Sequence, residues 1–167
     1  KQCFASIKPE VIYDMYEKLI KDKKYLALKR KVLFQHKSLP LGNYCSSFDL
    51  NLLLLPLDQM IREKSYTTHY IRYMDDFVVF CVNRRKAFVL KDEIKACLAK
   101  FGLELKNNYS MHKTSIFGID FIGYRFFFGN TILRKRNFLK ITRLARRLGK
   151  ARHYALHDCH SLVSLLG

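Results

Sequence analysis

Proline, glycine and long apolar runs are all scarce in this sequence. Its 167 residues include only 3 prolines and 7 glycines, which argues against a loop-dominated or low-complexity chain. The longest apolar stretch, residues 50–57, is interrupted by Asn51 and Pro56. It falls short of the roughly 20 apolar residues that a membrane-spanning helix needs. Residues 1–4 also lack the layout of a secretory signal. No membrane partner is therefore expected.

Close cysteine pairs are absent as well, since the 5 cysteines are scattered along the chain. An odd and scattered set favours buried thiols in a reducing cytoplasm over a disulfide framework or a zinc site. The run His157-Asp158-Cys159-His160 has metal-binding residue types, but no second pair of ligands lies near it. We interpret this run as a solvated helix surface.

Acidic residues are few relative to basic ones. The chain has 14 Asp and Glu against 31 Lys and Arg, a formal net charge of +17. So large a charge favours a polyanionic partner, and nucleic acid is the first candidate. An anionic membrane surface is the second and weaker candidate, since no segment is apolar and long enough to span a bilayer. Because 49% of the residues are hydrophobic, the chain can form a core and is not a disordered basic tail. Its length suits one domain, or one compact unit plus part of another.

The periodicity of apolar residues predicts a mixture of helices and strands. Helical spacing begins at Pro9, a residue type favoured at the start of helices. The other predicted helices are residues 25–34, a helix capped by Ser46 or Ser47 that reaches about Lys64, residues 84–101, and residues 137 to about 156. Runs rich in aromatic and β-branched residues predict strands at residues 70–73, 77–82, 103–105, 114–119, 121–127 and 131–133.

Asp75 and Asp76 lie between two of these predicted strands, at the tip of a β-hairpin. Two adjacent aspartates at such a tip often form only a turn. The flanking runs are nearly continuously apolar, which predicts a buried sheet with the carboxylates at its edge. Their repulsion and desolvation would be costly there without a bound cation. Mg²⁺ suits the pair, since one or two carboxylates plus substrate phosphates hold it. In so basic a chain, this indicates a two-metal polymerase or nuclease.

A second basic feature lies near the C-terminus, where no carboxylate occurs between Asp120 and Asp158. In the predicted last helix, apolar residues lie largely on one face: Phe138, Ile141, Leu144, Ala145 and Leu148. Cations lie on another: Arg136, Lys140, Arg143, Arg147 and Lys150, with Arg134 just before the helix. A solvated face is the alternative interpretation, but such faces usually mix both signs. The pattern favours a surface that follows nucleic-acid phosphates.

Tyr73-Met74-Asp75-Asp76 resembles the catalytic motif of reverse transcriptases, and further motifs follow in the family's order. Residues 39–46 resemble the preceding motif, which contacts the incoming nucleotide and the template. Asn51 and Asp58 stand where bacterial members commonly carry Asn and Asp. Lys113-Thr114 matches the later lysine-bearing motif, and residues 121–124 resemble the segment that grips the primer. The resemblance implies an α+β polymerase palm, an antiparallel ferredoxin- or RRM-like sheet backed by helices. Residues 1–130 would be the palm with a remnant of the fingers, and 131–167 the start of a helical thumb.

The resemblance also implies site residues and partners. Asp75 and Asp76 would hold two Mg²⁺ ions, with Mn²⁺ as an alternative, and the partners would be an RNA template, a DNA or RNA primer and deoxynucleotides. Lys113 would donate a proton to the departing pyrophosphate, or serve as a phosphate contact or solvated lysine. The implied nucleotide-binding residues are Phe4, Leu41, Gly42, Asn43, Tyr73 and Met74. The implied primer grip is Phe121, Ile122, Gly123 and Tyr124. Phe4 would block a ribose 2′-OH, unless it is an ordinary core aromatic.

Residues 1–7 resemble the tail of the first catalytic motif, whose metal-binding aspartate would stand two places before Lys1. The chain alone is therefore expected to lack one catalytic carboxylate and to be inactive. Leu41-Gly42 resembles bacterial diversity-generating retroelements, which would add a basic accessory protein as a partner. Arg134-Lys135-Arg136 also resembles group II intron-like enzymes. The alternatives to the retroelement type are a group II intron-type enzyme, an antiphage-defence reverse transcriptase and an inactive, nucleic-acid-binding relative. It departs from the family at Ser38, Ser47, Asp49 and Leu50.

Overall fold

The chain forms two compact units, Lys1–Met111 and His112–Gly167, in a computed structural model that describes residues 3–40 and 42–150. The expectations for Lys1, Leu41, the side chain of Lys150 and residues 151–167 lie outside the described residues. The predicted α+β class is confirmed by helices combined with antiparallel sheets. The division into palm and thumb at residue 130 stays a prediction. No helix in the described part of the chain is long and apolar enough to cross a membrane.

The first unit combines helices with one two-stranded antiparallel sheet. Its elements are α1 Cys3–Ser6, α2 Pro9–Leu19, α3 Lys23–Leu33, α4 Tyr44–Leu53, α5 Leu55–Arg62, β1 Thr67–Tyr73, β2 Asp76–Cys81 and α6 Arg84–Ala99. Asp22 caps α3 by accepting the Lys24 amide at 2.8 Å, and Asn83 caps α6 by accepting the Lys86 amide at 2.9 Å. These side chains satisfy amides that the first helical turn leaves unpaired.

The single helix predicted up to Lys64 is wrong in both its start and its continuity. Asn43, not Ser46 or Ser47, caps α4, since its Oδ1 accepts the Cys45 amide at 3.2 Å. The chain then starts a new helix, α5, with Pro56 in its first turn. Proline has no amide hydrogen to continue α4 and its ring would clash with the preceding turn, so the helix ends before it.

The core of the first unit lies among the helices and one face of the sheet. Its fully buried side chains come mainly from α2, α4 and α5, including Ile12, Leu50 and Leu57. The prediction that the hairpin strands form a buried sheet is wrong. The inner face, with Phe77, packs on the core, but Ile71 on the outer face is 53% exposed. An apolar run can therefore belong to a sheet that is covered on one side only.

The second unit has a three-stranded antiparallel sheet in the order β3-β4-β5. Its described elements are α7 Thr114–Phe117, β3 Ile119–Phe121, β4 Tyr124–Phe127, β5 Asn130–Leu133 and α8 Lys135–Lys150. The strand predicted at 114–119 is wrong over its first four residues, which form α7. The strand predicted at 103–105, in the first unit, does not form either. After Gly102 turns the chain with φ 68°, the Leu103 amide bonds back to the Leu98 carbonyl of α6 at 3.0 Å.

Candidate active site at the aspartate hairpin

The β1–β2 hairpin turns within two residues. Tyr73 lies opposite Asp76, so Met74 and Asp75 form the turn itself. Met74 has φ 54° and Asp75 does not have a positive φ, which is the pattern of a type II′ turn. Glycine is the residue that adopts this first position at little cost. A methionine there is strained, so the surrounding contacts must hold the turn in place.

The Arg72 side chain connects this turn to two helices. Its Nη1 donates to the Met74 carbonyl at 3.0 Å and to Asn51 Oδ1 on α4 at 2.7 Å. Its Nε and Nη2 donate to the two carboxylate oxygens of Asp58 on α5, at 2.8 and 2.5 Å. Such a two-pronged pair is directional and fixes the plane of the guanidinium group. We call Arg72, Asn51, Asp58 and the Met74 carbonyl the arginine clamp.

The clamp lies in a largely desolvated position. The side chains of Arg72 and Asp58 are only 10% and 11% exposed. Burial alone would raise the pKa of Asp58, but the hydrogen bonds from Arg72 and Tyr70 outweigh it and hold that pKa below its usual range. The Tyr70 hydroxyl donates to Asp58 Oδ1 at 2.7 Å. Burial and this bond raise the pKa of Tyr70, which therefore stays a neutral donor.

Acid is expected to weaken the fold through Asp58. Because folding lowers the pKa of Asp58, its ionised form stabilises the protein above the unfolded value of about 4. That contribution is lost as the pH falls through the lower, folded pKa. The melting-temperature difference between the wild type and Asp58→Asn should therefore be largest near pH 7 and shrink towards pH 2. Asp14→Asn, at an exposed position on α2, is the control. A difference that stays constant with pH would contradict this role.

The two carboxylates differ in their surroundings. Asp75 is 32% exposed, and its Oδ2 lies 3.5 Å from Lys106 Nζ. Asp76 is exposed and, within residues 3–40 and 42–150, takes part in no side-chain hydrogen bond or ion pair. Burial raises the pKa of the Cys3 thiol on α1, and the charge of Asp75 raises it further. Lys106 was not predicted from the sequence, where nothing distinguishes it from 30 other cations.

The donor set suits a hard cation that the substrate also helps to hold. No group of three or more His, Cys, Asp or Glu that could bind a metal occurs in the described part of the chain. A complete protein cage is therefore not present among these residues. Asp75 and Asp76 nevertheless offer carboxylates on consecutive residues of the hairpin, and one or two carboxylates with substrate phosphates are the usual ligands of Mg²⁺.

The candidate nucleotide-binding residues fall on separate elements of the first unit. Phe4 is half-buried on α1 and packs against the core, which also suits an ordinary core aromatic. Gly42 is exposed with φ 87°, and a Cβ built there would contact nothing within 4 Å. The side chain of Asn43 is used to cap α4. In the hairpin, Tyr73 is 58% exposed whereas Met74 packs against the core.

The candidate primer grip forms the β3–β4 hairpin of the second unit. Phe121 lies opposite Tyr124. Ile122 and Gly123 form the turn, with φ values of 47° and 84°, as a type I′ turn requires. The Gly123 carbonyl accepts a hydrogen bond from Asn137 Nδ2 at 3.4 Å, and a Cβ at this glycine would lie 2.7 Å from the same nitrogen. A side chain at Gly123 would therefore have to displace the Asn137 side chain, and it would be strained by the positive φ.

Helix α8 carries Lys and Arg without a carboxylate. Four of the predicted phosphate-binding residues are exposed along it: Arg136, Lys140, Arg143 and Arg147. The predicted apolar face is only partly covered. Ile141, Leu144 and Leu148 are half-buried, but Ala145 is exposed and Phe138 is 56% exposed. The exposure of these residues thus follows the sequence pattern, except that Phe138 and Ala145 of the predicted apolar face are exposed.

Two other candidate cations of the second unit lie outside α8. Arg134 Nε is 3.8 Å from Asp120 Oδ2, and Asp120 also accepts two hydrogen bonds from Arg125 at 2.8 and 3.0 Å. The charge of Arg134 is therefore partly compensated within the chain. Lys113 is exposed at the start of α7, where its backbone carbonyl accepts the amides of the helix.

Asp49, one of the residues at which the sequence departs from the motifs it resembles, has a structural explanation. Asp49 is 1% exposed, and its Oδ1 accepts hydrogen bonds from the Tyr16 hydroxyl and Lys29 Nζ, both at 2.7 Å. The Lys29 ammonium also lies 4.6 Å from the centre of the Tyr16 ring. Asp49 is thus one member of a buried polar triad that joins α2, α3 and α4. Leu50 is fully buried in the core, and nothing in the structure explains Ser38 or Ser47.

Comparison with protein families gives a match to this chain. A family model described as reverse transcriptase (RNA-dependent DNA polymerase) matches residues 1–126, which include the aspartate hairpin and the arginine clamp. Comparison with curated proteins gave no match. A match over 126 of 167 residues covers about three-quarters of the chain. The chain belongs to the reverse transcriptase family.

Proposed function

We propose that this chain carries the polymerase site of a reverse transcriptase that extends a primer with deoxynucleotides on an RNA template. The observation that supports this most is the strained two-residue turn, in which Asp75 is the second residue and is followed directly by Asp76, exposed and unpaired among the described residues. A turn without a further role would not need a methionine at a positive φ. The family match and the net charge of +17 support the same function.

Asp75 and Asp76 would hold the divalent metal ions that proteins of this family use. Bound Mg²⁺ would lower the pKa of the attacking primer 3′-hydroxyl and offset charge on the leaving pyrophosphate. Two negatively charged side chains on consecutive residues of a turn favour the binding of a cation. Lys113 is proposed as the proton donor to pyrophosphate, and an ordinary phosphate contact is its alternative role. Lys106 is a second candidate, because it is the lysine that forms an ion pair with Asp75.

Primer extension by the full-length gene product tests this proposal. The full-length product is used because the proposed site includes a third metal-binding aspartate, which is expected before Lys1. A labelled primer annealed to RNA should lengthen with deoxynucleotides and Mg²⁺, and should stop when the metal is chelated. Ribonucleotides should support little extension. Tight binding of primer–template without any extension would instead favour an inactive, nucleic-acid-binding relative.

The type of reverse transcriptase is proposed from Leu41-Gly42, which supports a diversity-generating retroelement with a basic accessory protein. A group II intron-type or antiphage-defence enzyme is the alternative. A template and variable repeat pair beside the gene would favour the retroelement, whereas an intron ribozyme sequence there would overturn it. Leu41→Gln is expected to change the misincorporation spectrum on an RNA template. An unchanged spectrum would remove the argument from this residue.

The exposed cations of α8 are expected to bind template or primer phosphates. Changing Arg136, Lys140 and Arg143 together to Gln should reduce the slope of log affinity against log salt by about 2–3, since each phosphate contact contributes roughly 0.7–0.9. The measurement is fluorescence anisotropy of a labelled RNA–DNA hybrid across a salt series. A control variant with Arg85, Lys95 and Lys100 changed to Gln has the same charge change on exposed positions of or next to α6. Equal slopes in both variants would show that total charge alone matters.

A further inference from the structure

We propose that Arg72 is a positioning residue for nucleotidyl transfer, because its clamp selects the conformation of the turn that carries Asp75. This inference rests on the proposed function, and it assigns a role to a residue that does not itself contact the reacting atoms. The guanidinium makes four hydrogen bonds, of which one goes to the turn and three go to side chains on α4 and α5. Helices α4 and α5 thus fix the guanidinium group of Arg72, and that group fixes the turn of the hairpin.

The hydrogen bond from Arg72 to the turn is accepted by the Met74 carbonyl oxygen, whose direction distinguishes the two possible turn types. The Met74 carbonyl belongs to the peptide group that joins Met74 to Asp75, the central peptide of the turn. Type II′ and type I′ turns share a positive φ at the first position and differ mainly by a flip of this central peptide. Such a flip would reverse the Met74 carbonyl and move Asp75 to a positive φ. Aspartate tolerates that conformation, so the residues of the turn do not themselves exclude it.

The clamp therefore distinguishes two turns that the local sequence permits. With Arg72 Nη1 bonded to the Met74 carbonyl at 3.0 Å, the peptide is held in its type II′ orientation. A flipped peptide would leave this largely buried donor with one acceptor fewer and would redirect the Asp75 carboxylate. Because Asp76 follows as the first residue of β2, the relative placement of the two carboxylates depends on that one peptide group.

The simpler interpretation is that Arg72 and Asp58 form a buried ion pair that only stabilises α5 against β1. The chemistry of the side chain separates the two roles. Lysine can keep an ion pair with Asp58, but it has no planar set of donors directed at Asn51, Asp58 and the turn together. Arg72→Lys therefore preserves the charge while it removes the selection of the turn. Asn51→Ala removes one fixing bond at an exposed position and leaves the pair with Asp58 intact.

The test compares the full-length wild type with Arg72→Lys, Asn51→Ala and the control Arg85→Lys, at a temperature where melting curves show every variant folded. We expect kcat to fall by about 10–100-fold in Arg72→Lys, the scale of a small misplacement of reacting groups. Asn51→Ala should show a smaller fall, and Arg85→Lys should show none. The KM for deoxynucleotide should change less than about threefold, since ordinary binding contacts remain.

The outcomes separate this proposal from the proposed function. If the wild type does not extend a primer, the proposed function fails. If the wild type is active and folded Arg72→Lys keeps kcat within twofold, the positioning role is overturned. A loss that disappears once rates are corrected for the folded fraction also overturns it. A fall in kcat in a fully folded Arg72→Lys protein, without a matching change in KM, supports it.

Discussion

Asp75→Asn is expected to abolish primer extension. Asparagine has nearly the same shape as aspartate but lacks the charge that attracts a divalent cation. Removing a group that acts in the transition state lowers the rate by roughly 10³-fold or more in comparable cases. Single-nucleotide incorporation by the full-length product, with protein in excess over primer–template, measures this without interference from weak binding. A rate within tenfold of the wild type would show that Asp75 is not a metal ligand.

The same substitution should leave the fold intact. Asp75 is one-third exposed, and its one described ion pair, with Lys106, is between partly exposed side chains. Exposed pairs contribute little stability. Thermal melting of Asp75→Asn should therefore match the wild type. Asp92→Asn is the matched control, because this 69%-exposed aspartate also pairs with a lysine and should retain full activity.

Among the substitutions predicted here, Asp49→Leu is expected to cause the largest fall in the free energy of unfolding. It would leave the ammonium of Lys29, 7% exposed, without its carboxylate partner, and removal of one member of a buried pair costs about 3–5 kcal/mol. The Tyr16 hydroxyl would lose its acceptor as well. Urea unfolding monitored by circular dichroism gives the free energy of unfolding. Asp14→Leu, at an exposed position, should change it by less than about 1 kcal/mol.

A double variant separates the charge effect from packing. Asp49→Leu combined with Lys29→Met removes both charges, so it should recover most of the stability that the unpaired ammonium costs. Adding Tyr16→Phe should recover more, because no buried hydroxyl is then left unpaired. A double variant as unstable as Asp49→Leu would show that the pair does not act through charge.

The local features of the chain can be predicted well from the sequence. Pro9 and the regular apolar spacing after it predict α2, and two aromatic and β-branched runs around Asp75 predict the hairpin. Prediction from local residue types is less reliable where two structures are compatible with the same residues. Ser46 and Ser47 are good helix-capping residues, although Asn43 takes that position. Residues 114–117 include threonine and isoleucine, which favour strands, yet they form a short helix.

The clamp could not be predicted because its partners are distant in the chain. Arg72 meets Asp58 14 residues away and Asn51 21 residues away. A single sequence shows no signal for such pairs. Asp49 departs from the family pattern, but its partner Lys29 is indistinguishable in sequence from other cations. The candidate metal-binding residues can thus be predicted from neighbouring residues in the sequence. The distant side chains that hold the hairpin turn cannot.

Metal-directed cleavage tests the central claim, that a catalytic metal is held at Asp75 and Asp76. Fe²⁺ would replace Mg²⁺ in the full-length product bound to primer–template, and ascorbate with peroxide would cut the backbone near the bound ion. Cleavage within residues 73–77 is predicted. Excess Mg²⁺ should suppress it, and Asp75→Asn should remove it. Cleavage confined to other parts of the protein, while primer extension continues, would contradict the assignment of this hairpin as the active site.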